Sequence, residues 1–256
     1  MTDRKRQLTD QHLSDFARDG FVVVRGMFSA DEMAEIARWT DEVEAYPEIP
    51  GKYMKYFEKS LKGASDRLLN RLENFYPYHD GFRKLFDCDS LQGATSELLG
   101  EQAVLFKDKI NFKMPGGDGF KPHQDQQAGW STYADFFITA LVSIDAATKE
   151  NGCLEMVAGY HQKGLVGEEW KPLTDEQVAA MNPVACPTEP GDVVFFDSYA
   201  PHGSGPNLSD SKRRVLYVTY NRLSDGNHRD QYYADKRKSY PPDVERDPGK
   251  QYQYRV

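Results

Sequence analysis

The chain has 256 residues, of which 39% are hydrophobic and 12% aromatic, and it carries a formal net charge of -8. This composition predicts a packed globular protein rather than a disordered one, and the length does not require a second domain. The negative charge disfavours a general nucleic-acid binder, because such proteins need a concentrated basic face to neutralise phosphates.

The sequence shows neither targeting nor disulfide signals. The opening MTDRKRQLTDQHL lacks the apolar core of a signal peptide, and no stretch approaches about 18 consecutive apolar residues. The three cysteines, Cys88, Cys153 and Cys186, are odd in number and lie far apart, which favours reduced thiols buried as small hydrophobic residues. We therefore expect a cytoplasmic protein with no membrane partner.

The first hundred residues are predicted to form a helix-rich flank. LTDQHLSDFARDG predicts a short helix with Thr9 as N-cap, and FVVVRGMF predicts a strand. SADEMAEIARWTDEVEAY predicts a second helix, in which Ser29 and Glu32 form a capping box. Residues 52–100 are expected to be mixed and mainly helical, with SDRLLNRLENF as the clearest helix.

From about residue 103 the pattern changes to short strands separated by Gly and Pro turns. The strands are predicted in AVLFKDKINFKM, DFFITALVSID, CLEMVAG, DVVFFDSYA and RRVLYVTYN. Such a series predicts a β-sandwich or barrel. We expect one domain over residues 1–256, with the flank in 1–100, the β core in 101–224 and a tail in 225–256. The tail is expected either to wrap the surface or to form a flap at the mouth of a site.

The stretch KPHQDQQAGW places His123 and Asp125 two positions apart. On a strand such side chains share a face, so the imidazole and the carboxylate can jointly bind a divalent metal. Two ligands hold a metal poorly, and His202 is the histidine that follows a strand, GDVVFFDSY, into a glycine-rich turn. Two histidines and one carboxylate make the facial triad of non-haem Fe(II) oxygenases. The alternative is a hydrogen-bonded surface pair of His123 and Asp125.

Arg213 follows His202 at the start of the strand RRVLYVTYN. A guanidinium there can form two parallel hydrogen bonds with a carboxylate. A buried arginine beside an Fe(II) site suits a dicarboxylate cosubstrate. The pair of features therefore favours an oxygenase over a simple metal-binding protein.

Five stretches resemble, in their order along the chain, the phytanoyl-CoA dioxygenase family of Fe(II)/2-oxoglutarate oxygenases: INFKMPGG, HQD, NGCLEMVAGYHQKG, EPGDVVFFDSYAPHGSGPN and KRRVLYVTYN. LTDQHLSDFARDGFVVVRGMF is similar to the family's N-terminal opening, so the resemblance covers most of the chain. It implies a mainly β fold with flanking helices, a double-stranded β-helix or cupin-like jelly roll. It also implies Fe(II), 2-oxoglutarate and O₂, with ascorbate expected to keep the iron reduced, and hydroxylation of an unactivated C–H bond.

The resemblance also implies roles for single residues. His123, Asp125 and His202 match the metal ligands, and Arg213 matches the arginine that binds the far carboxylate of 2-oxoglutarate. Since Asp125 is a carboxylate, the chain does not resemble the related halogenases, which free that position for a halide. Further positions assigned to the cosubstrate pocket are Gln124, Ser204, Asn111 and Leu141. Leu141 stands where some members carry a tryptophan.

The substrate side is predicted from polar and aromatic residues around the HxD motif. Lys107, Lys109, Asn111 and Lys113 alternate along one strand and share a face, which is either a solvated edge or the wall of a pocket for an anionic substrate. The predicted substrate-binding residues are Lys109, Gln126, Gln127, Trp130 and Tyr133. An aromatic ring with amides suits a small polar or cationic group, whereas ordinary packing is the alternative for Trp130.

Within the family, KINFKMPGGDGFKPHQDQQAGW is most similar to bacterial members that act on 2-aminoethylphosphonate. This similarity implies hydroxylation of the carbon next to phosphorus in a small-molecule substrate, as part of phosphonate catabolism. The alternatives are another amino acid, a betaine-like compound or a secondary metabolite. A catalytically silent metal-binding jelly roll is a different class, and the presence of all three ligands and the arginine disfavours it. We expect no nucleic-acid partner, and the oligomeric state stays open.

Overall fold

The computed structural model describes residues 6–63 and 67–252. Six helices and eleven strands are seen within those residues. In chain order they are α1 (Asp10–Asp19), β1 (Phe21–Val24), α2 (Ala30–Glu44), β2 (Met54–Glu58), β3 (Leu68–Glu73), α3 (Asp80–Phe86), α4 (Ala94–Leu99), β4 (Ala103–Lys113), β5 (Phe120–His123), β6 (Ile138–Ser143), β7 (Leu154–Met156), α5 (Asp175–Ala179), β8 (Val184–Cys186), β9 (Val193–Asp197), β10 (His202–Ser204), β11 (Arg213–Arg222) and α6 (Arg229–Ser239).

The strands form two antiparallel sheets. The large sheet has the order β1-β9-β6-β11-β4-β3-β2 and the small sheet has the order β5-β10-β7-β8. Apolar residues of both sheets pack into one cluster, with Leu141 and Val215 from the large sheet and Leu154 and Met156 from the small one. The sheets therefore face each other, which is the predicted jelly roll.

The outer face of the large sheet is covered by the helices. Along β11, Val215 and Tyr217 join the cluster between the sheets, whereas Leu216 and Val218 join the core beneath the helices. This alternation is the period of two expected of a strand. The predicted caps also form: Ser29 accepts a hydrogen bond from the Glu32 backbone N–H at 3.3 Å.

The prediction of a helix in SDRLLNRLENF is wrong for the part that the structure describes. Residues 68–73 form β3, which pairs with β2 and β4 and extends the large sheet. Leu69 and Leu72 lie three residues apart, as on a helix, and both enter the core beneath the helices. A register shift at Asn70 explains the spacing, because this β-bulge returns Leu72 to the face of Leu69.

The predicted tail contains α6, and its aromatic residues pack close to the sheet. Tyr232 and Tyr233 cluster with Met54 and Tyr56 of β2 and with Phe106 of β4. The two alternatives for the tail were a surface wrap and a flap at the mouth of a site. This position favours the flap, because the tail covers one end of the β core. Within the described residues, no helix is long and apolar enough to cross a membrane.

Candidate active site

Two histidines face each other across a pair of short strands at the edge of the small sheet. His123 ends β5 and His202 begins β10, and the antiparallel register makes them direct partners. Their ring centroids lie 4.5 Å apart. The His202 ring also lies 4.7 Å from that of Phe196, a member of the cluster between the sheets. Both imidazoles therefore aim into the space between the two sheets.

Asp125 reaches the same point from a turn rather than from a strand. The prediction that His123 and Asp125 share a strand face is wrong in this detail, because β5 ends at His123 and Asp125 begins a short 3-10 helix. Asp125 Oδ1 nevertheless lies 3.8 Å from His123 Nε2. One ligand atom from each of His123, Asp125 and His202 lies within 4.8 Å of the others. A single metal ion can bridge that spacing.

The protonation states of these three side chains suit a metal. Burial, the neighbouring His202 and Lys109 lower the pKa of His123 to about 3, against the opposing effect of Asp125. Burial likewise lowers the pKa of His202. Burial alone would raise the pKa of Asp125, but His202, Lys109 and His123 lower it below its ordinary value. Neutral imidazoles and an ionised carboxylate are the forms that bind a divalent cation.

Main-chain carbonyls orient the two imidazoles. His123 Nδ1 lies 2.7 Å from the carbonyl oxygen of Lys121, and His202 Nδ1 lies 3.0 Å from that of Ala200. A carbonyl can only accept, so both Nδ1 atoms carry the proton. The Nε2 lone pairs are thereby left for a metal.

Two threonines hold the carboxylate, and sequence reasoning missed them. Thr139 Oγ1 donates to Asp125 Oδ2 at 3.4 Å and lies 2.8 Å from Thr219 Oγ1. Thr139 and Thr219 are direct partners on β6 and β11. The signal that could have found them is a threonine within the apolar run of each of two predicted strands, DFFITALVSID and RRVLYVTYN.

Arg213 is buried at the start of β11, with 1% of its surface exposed. Its Nε and Nη2 atoms have no hydrogen-bond acceptor within the part of the chain that the structure describes. Burial lowers the pKa of Arg213, with Tyr217 opposing that effect. A buried guanidinium with unused donors is costly unless an anion completes it. The arrangement can therefore receive a carboxylate, as predicted for this residue.

Three other predicted cosubstrate residues lie near Arg213 on the inward faces. Ser204 Oγ accepts a hydrogen bond from Lys113 Nζ at 2.8 Å. Asn111 lies opposite Val215 on β11, and its Oδ1 is buried without a partner in the described chain. Leu141 lies opposite Tyr217 and packs in the cluster between the sheets. Their roles stay predictions, whereas their position between the sheets is what those roles require.

The three predicted glutamines serve the loops around the site. Each donates from its side-chain Nε2 to main-chain carbonyls. The acceptors are Gly164 and Tyr199 for Gln124, Asp135 for Gln126, and Glu168 and Lys171 for Gln127. Gln124 Oε1 also accepts from the Val166 backbone N–H at 2.8 Å, so both the oxygen and the nitrogen of the Gln124 amide are used by main-chain groups. The structure thus brings Gln124 to the site without directing its amide at the triad.

Trp130 and Tyr133 lie near one end of β4, and Arg213 lies near the other end. Trp130 is buried and packs edge-on against Phe106 and Phe137, which is the packing alternative. The Tyr133 hydroxyl donates to Asp235 Oδ2 at 3.1 Å and lines a cavity of about 700 Å³. Burial and Asp235 raise the pKa of Tyr133 to about 12, so the hydroxyl keeps its proton.

The lysine row on β4 points inward. Lys107 and Lys113 are buried, so the alternative of a solvated edge is wrong for them. Lys109 Nζ lies 4.4 Å from the centroid of the Tyr217 ring. Burial and Lys107 lower the pKa of Lys109 to about 7, although Asp125 opposes the shift. The row therefore carries basic side chains into the interior beside the triad.

A cavity of about 720 Å³ connects the triad with solvent. His123 is part of its wall, and so are Arg71 of β3, Phe120 of β5, Trp170 and Tyr240. A small molecule can therefore reach the edge of the triad without movement of the sheets. The opening lies where the tail covers the β core.

The profile of the family named Phytanoyl-CoA dioxygenase (PhyH) matches residues 16–215. A 2-aminoethylphosphonate dioxygenase from the uncultured bacterium HF130_AEPn_1 is 44% identical over 95% of this chain and 93% of its own length. A methylphosphonate hydroxylase from Gimesia maris is 38% identical over 91% of this chain and 88% of its own length.

Solved structures agree with the fold. The crystal structure of EctD from S. alaskensis with 2-oxoglutarate and 5-hydroxyectoine superposes with a TM-score of 0.71 at 22% identity, covering 88% of this chain and 79% of EctD. A second crystal structure of EctD, with bound Fe, has the same TM-score of 0.71. At this identity the similarity supports the jelly-roll architecture alone.

Proposed function

The chain belongs to the phytanoyl-CoA dioxygenase family of Fe(II)- and 2-oxoglutarate-dependent oxygenases, and we propose that it hydroxylates the carbon next to phosphorus in 2-aminoethylphosphonate. The observation that carries the proposal is the 44% identity, over nearly the whole chain, to a 2-aminoethylphosphonate dioxygenase. The complete set of His123, Asp125 and His202 supports turnover rather than a silent module.

The triad would hold Fe(II). His123 and His202 would each offer Nε2, and Asp125 would offer a carboxylate oxygen, which is the donor set that non-haem Fe(II) prefers. When bound, Fe(II) with 2-oxoglutarate and O₂ supplies the oxidant that converts C–H into C–OH, while 2-oxoglutarate becomes succinate and CO₂. The carbonyls of Lys121 and Ala200 would keep each imidazole in the ligating tautomer.

Arg213 would bind the far carboxylate of 2-oxoglutarate. Its unused Nε and Nη2 donors can form the two parallel hydrogen bonds that a carboxylate accepts. Lys113 lies nearby and already donates to Ser204 and to the Gly205 carbonyl. The residues of this pocket would thus fix one end of the cosubstrate, so that its other end is directed towards the triad.

Methylphosphonate is a second candidate substrate. The relative from Gimesia maris named methylphosphonate hydroxylase is 38% identical over most of the chain. Both compounds carry a phosphonate on the carbon that would be oxidised, and they differ in the aminomethyl group. We rank 2-aminoethylphosphonate first because the identity to its dioxygenase is higher and the coverage is wider.

The test is succinate formation from 2-oxoglutarate with Fe(II) and ascorbate under air, with each phosphonate supplied separately. We expect 2-aminoethylphosphonate to stimulate succinate formation strongly and to gain one oxygen atom by mass spectrometry. Stronger stimulation by methylphosphonate would replace the first substrate by the second. No stimulation by either, with iron and 2-oxoglutarate bound, would contradict the phosphonate proposal.

A further inference from the structure

A second group of buried charges lies beside the triad, away from Arg213. We call it the cationic cluster, and it consists of Arg71 and Glu73 on β3, Lys107 and Lys109 on β4 and Lys236 on α6. Arg71 Nε lies 2.8 Å from Glu73 Oε1, and Lys236 Nζ lies 2.6 Å from Glu73 Oε2. Glu73 is also the direct cross-strand partner of Lys109. Three elements that are distant in sequence thus meet at one carboxylate.

The cluster contains more basic than acidic side chains. Arg71, Lys107, Lys109 and Lys236 are basic and Glu73 is acidic, while burial lowers the pKa of Lys109 to about 7 and also lowers the pKa of Lys236. The side chain of Glu73 is fully buried, and those of Arg71 and Lys236 are 3% and 11% exposed. The cluster therefore places several basic side chains at the walls of the site, where they can donate hydrogen bonds to an anion that enters it.

The behaviour of Glu73 shows how strong this positive field is. Burial alone would raise the pKa of Glu73, yet Lys236, Lys107 and Arg71 together hold it far below its ordinary value. Asp125 is the further carboxylate that interacts with Lys109 and Lys107. Its charge belongs to the metal centre, so it does not neutralise the cluster when Fe(II) is present.

The cluster and the triad share walls. Arg71 and His123 line the same cavity of about 720 Å³, and Lys107 and Lys236 line the adjoining cavity of about 700 Å³. Lys107 is the cross-strand partner of Thr219, which continues through Thr139 to Asp125. A small anion can therefore enter from solvent, contact the cluster and remain next to the metal ligands.

We propose that the cationic cluster binds the phosphonate group of the substrate and so places the adjoining carbon towards the triad. The inference rests on the proposed function, since it assumes a phosphonate substrate. Two lysine ammonium groups and the arginine fork match a tetrahedral group with three oxygens. Glu73 is a positioning residue, because it holds Arg71 and Lys236 in place. The tail thereby becomes part of the substrate site.

The two anion sites are far enough apart to hold two different anions. Lys113, beside Arg213, and Lys109, the cluster residue nearest to it on β4, are four positions apart, which is about 13 Å along a strand. Arg213 and Lys113 would take the far carboxylate of 2-oxoglutarate, and the cationic cluster would take the phosphonate. Losing a charge in one site should therefore change the affinity for one compound and not for the other.

The experiment compares Lys109→Met and Lys107→Met with Lys171→Met in the Fe(II)-loaded enzyme. Lys171 lines the same cavity as Arg71, but its side chain is 64% exposed and pairs with Glu168, so it is the matched control. We expect each cluster variant to raise the KM for 2-aminoethylphosphonate roughly tenfold to a hundredfold, since a hydrogen bond to a charged group is lost. The KM for 2-oxoglutarate should change less than about twofold.

A second measurement separates this inference from the proposed function. Inorganic phosphate is titrated calorimetrically, without O₂, into the enzyme loaded with Fe(II) and 2-oxoglutarate. Binding that is lost in Lys109→Met and Lys107→Met but kept in Lys171→Met supports the cluster as the anion site, even if 2-aminoethylphosphonate is not a substrate. Turnover of 2-aminoethylphosphonate with an unchanged KM in both cluster variants overturns the inference and leaves the proposed function intact. A rise in the KM for 2-oxoglutarate alone would assign the cluster to the cosubstrate and would also overturn it.

Discussion

The two ends of β4 hold positive charge in different ways. At one end, Lys113 is satisfied by a hydroxyl and main-chain carbonyls, and Arg213 keeps unused donors. At the other end, the cationic cluster contains its own carboxylate, Glu73, and depends on α6. The first end is made entirely within the jelly roll, whereas the second joins the sheet to the flanking tail. Under the two proposals, the cosubstrate would be bound within the core fold, whereas the substrate would be bound where the sheet meets the tail.

The largest effect is expected at the metal centre, which both ends of β4 would serve. His202→Ala removes one of three ligands, and we expect Fe(II)-dependent succinate formation to fall below detection. The measurement is succinate formation together with iron content. Circular dichroism is the control, because β10 contributes few residues to the sheets and the fold should survive. Normal activity in the variant would show that His202 is not a metal ligand. The two ends of β4 would then not serve a metal centre that includes His202.

The next effect should appear at the Arg213 end alone. We expect Arg213→Ala to raise the KM for 2-oxoglutarate about a hundredfold, because a buried bidentate pair with a carboxylate is lost, while iron stays bound. Arg214→Ala is the matched control. Arg214 lies on the opposite face and pairs with Asp145 and Asp41, so its loss should leave that KM unchanged. An equal KM for 2-oxoglutarate in wild type and Arg213→Ala would show that Arg213 does not bind the cosubstrate.

A third effect should appear in the stability of the cationic cluster. Glu73→Gln leaves Arg71 and Lys236 buried without their carboxylate, and we expect the free energy of unfolding to fall by about 3 kcal/mol. Urea denaturation measures the loss. Inorganic phosphate should restore part of it, because an added anion replaces the missing charge. A variant as stable as wild type would show that the cluster needs no internal counter-charge.

The smallest effect concerns a buried carboxyl beside which the described part of the chain places no cation, in contrast to Glu73. Burial raises the pKa of Asp197 to about 6. Because the folded-state pKa lies above the unfolded one, this group favours folding at low pH, and that contribution is lost between about pH 4 and pH 6. Asp197→Asn should therefore flatten this part of the stability profile and raise the free energy of unfolding above pH 6. A steeper profile in the variant would contradict this sign.

Sequence reasoning reached the parts of the site that lie in continuous motifs. His123 and Asp125 are two positions apart and His202 and Arg213 flank one glycine-rich turn, so local patterns identified them. It placed Asp125 on a strand, because it did not foresee that β5 ends at His123. Five strands from residue 103 onward, β4, β6, β7, β9 and β11, were also predicted, since β-branched runs and Gly or Pro turns mark them, whereas the short strands β5, β8 and β10 were not part of that series.

The cationic cluster was beyond the reach of such reasoning. Glu73 and Lys236 are 163 positions apart, and their contact depends on where α6 packs after the jelly roll has formed. The helix expected near residue 70 also hid Arg71 and Glu73, because helical spacing would have sent them to other faces. Lys109 was found because it shares its strand with three other inward residues.

The bulge at Asn70 implies a route by which substrate choice could change. Arg71 and Glu73 face inward with Lys109 because one extra residue shifts the alternation of β3 between Leu69 and Arg71. Deletion of Asn70 would remove no charged side chain. It would remove the bulge that lets Leu69 face away from the pocket while Arg71 faces inward. A single-codon insertion or deletion in β3, rather than a substitution, would thus be enough to change which β3 side chains face the proposed anion site, while His123, Asp125 and His202 stay unchanged.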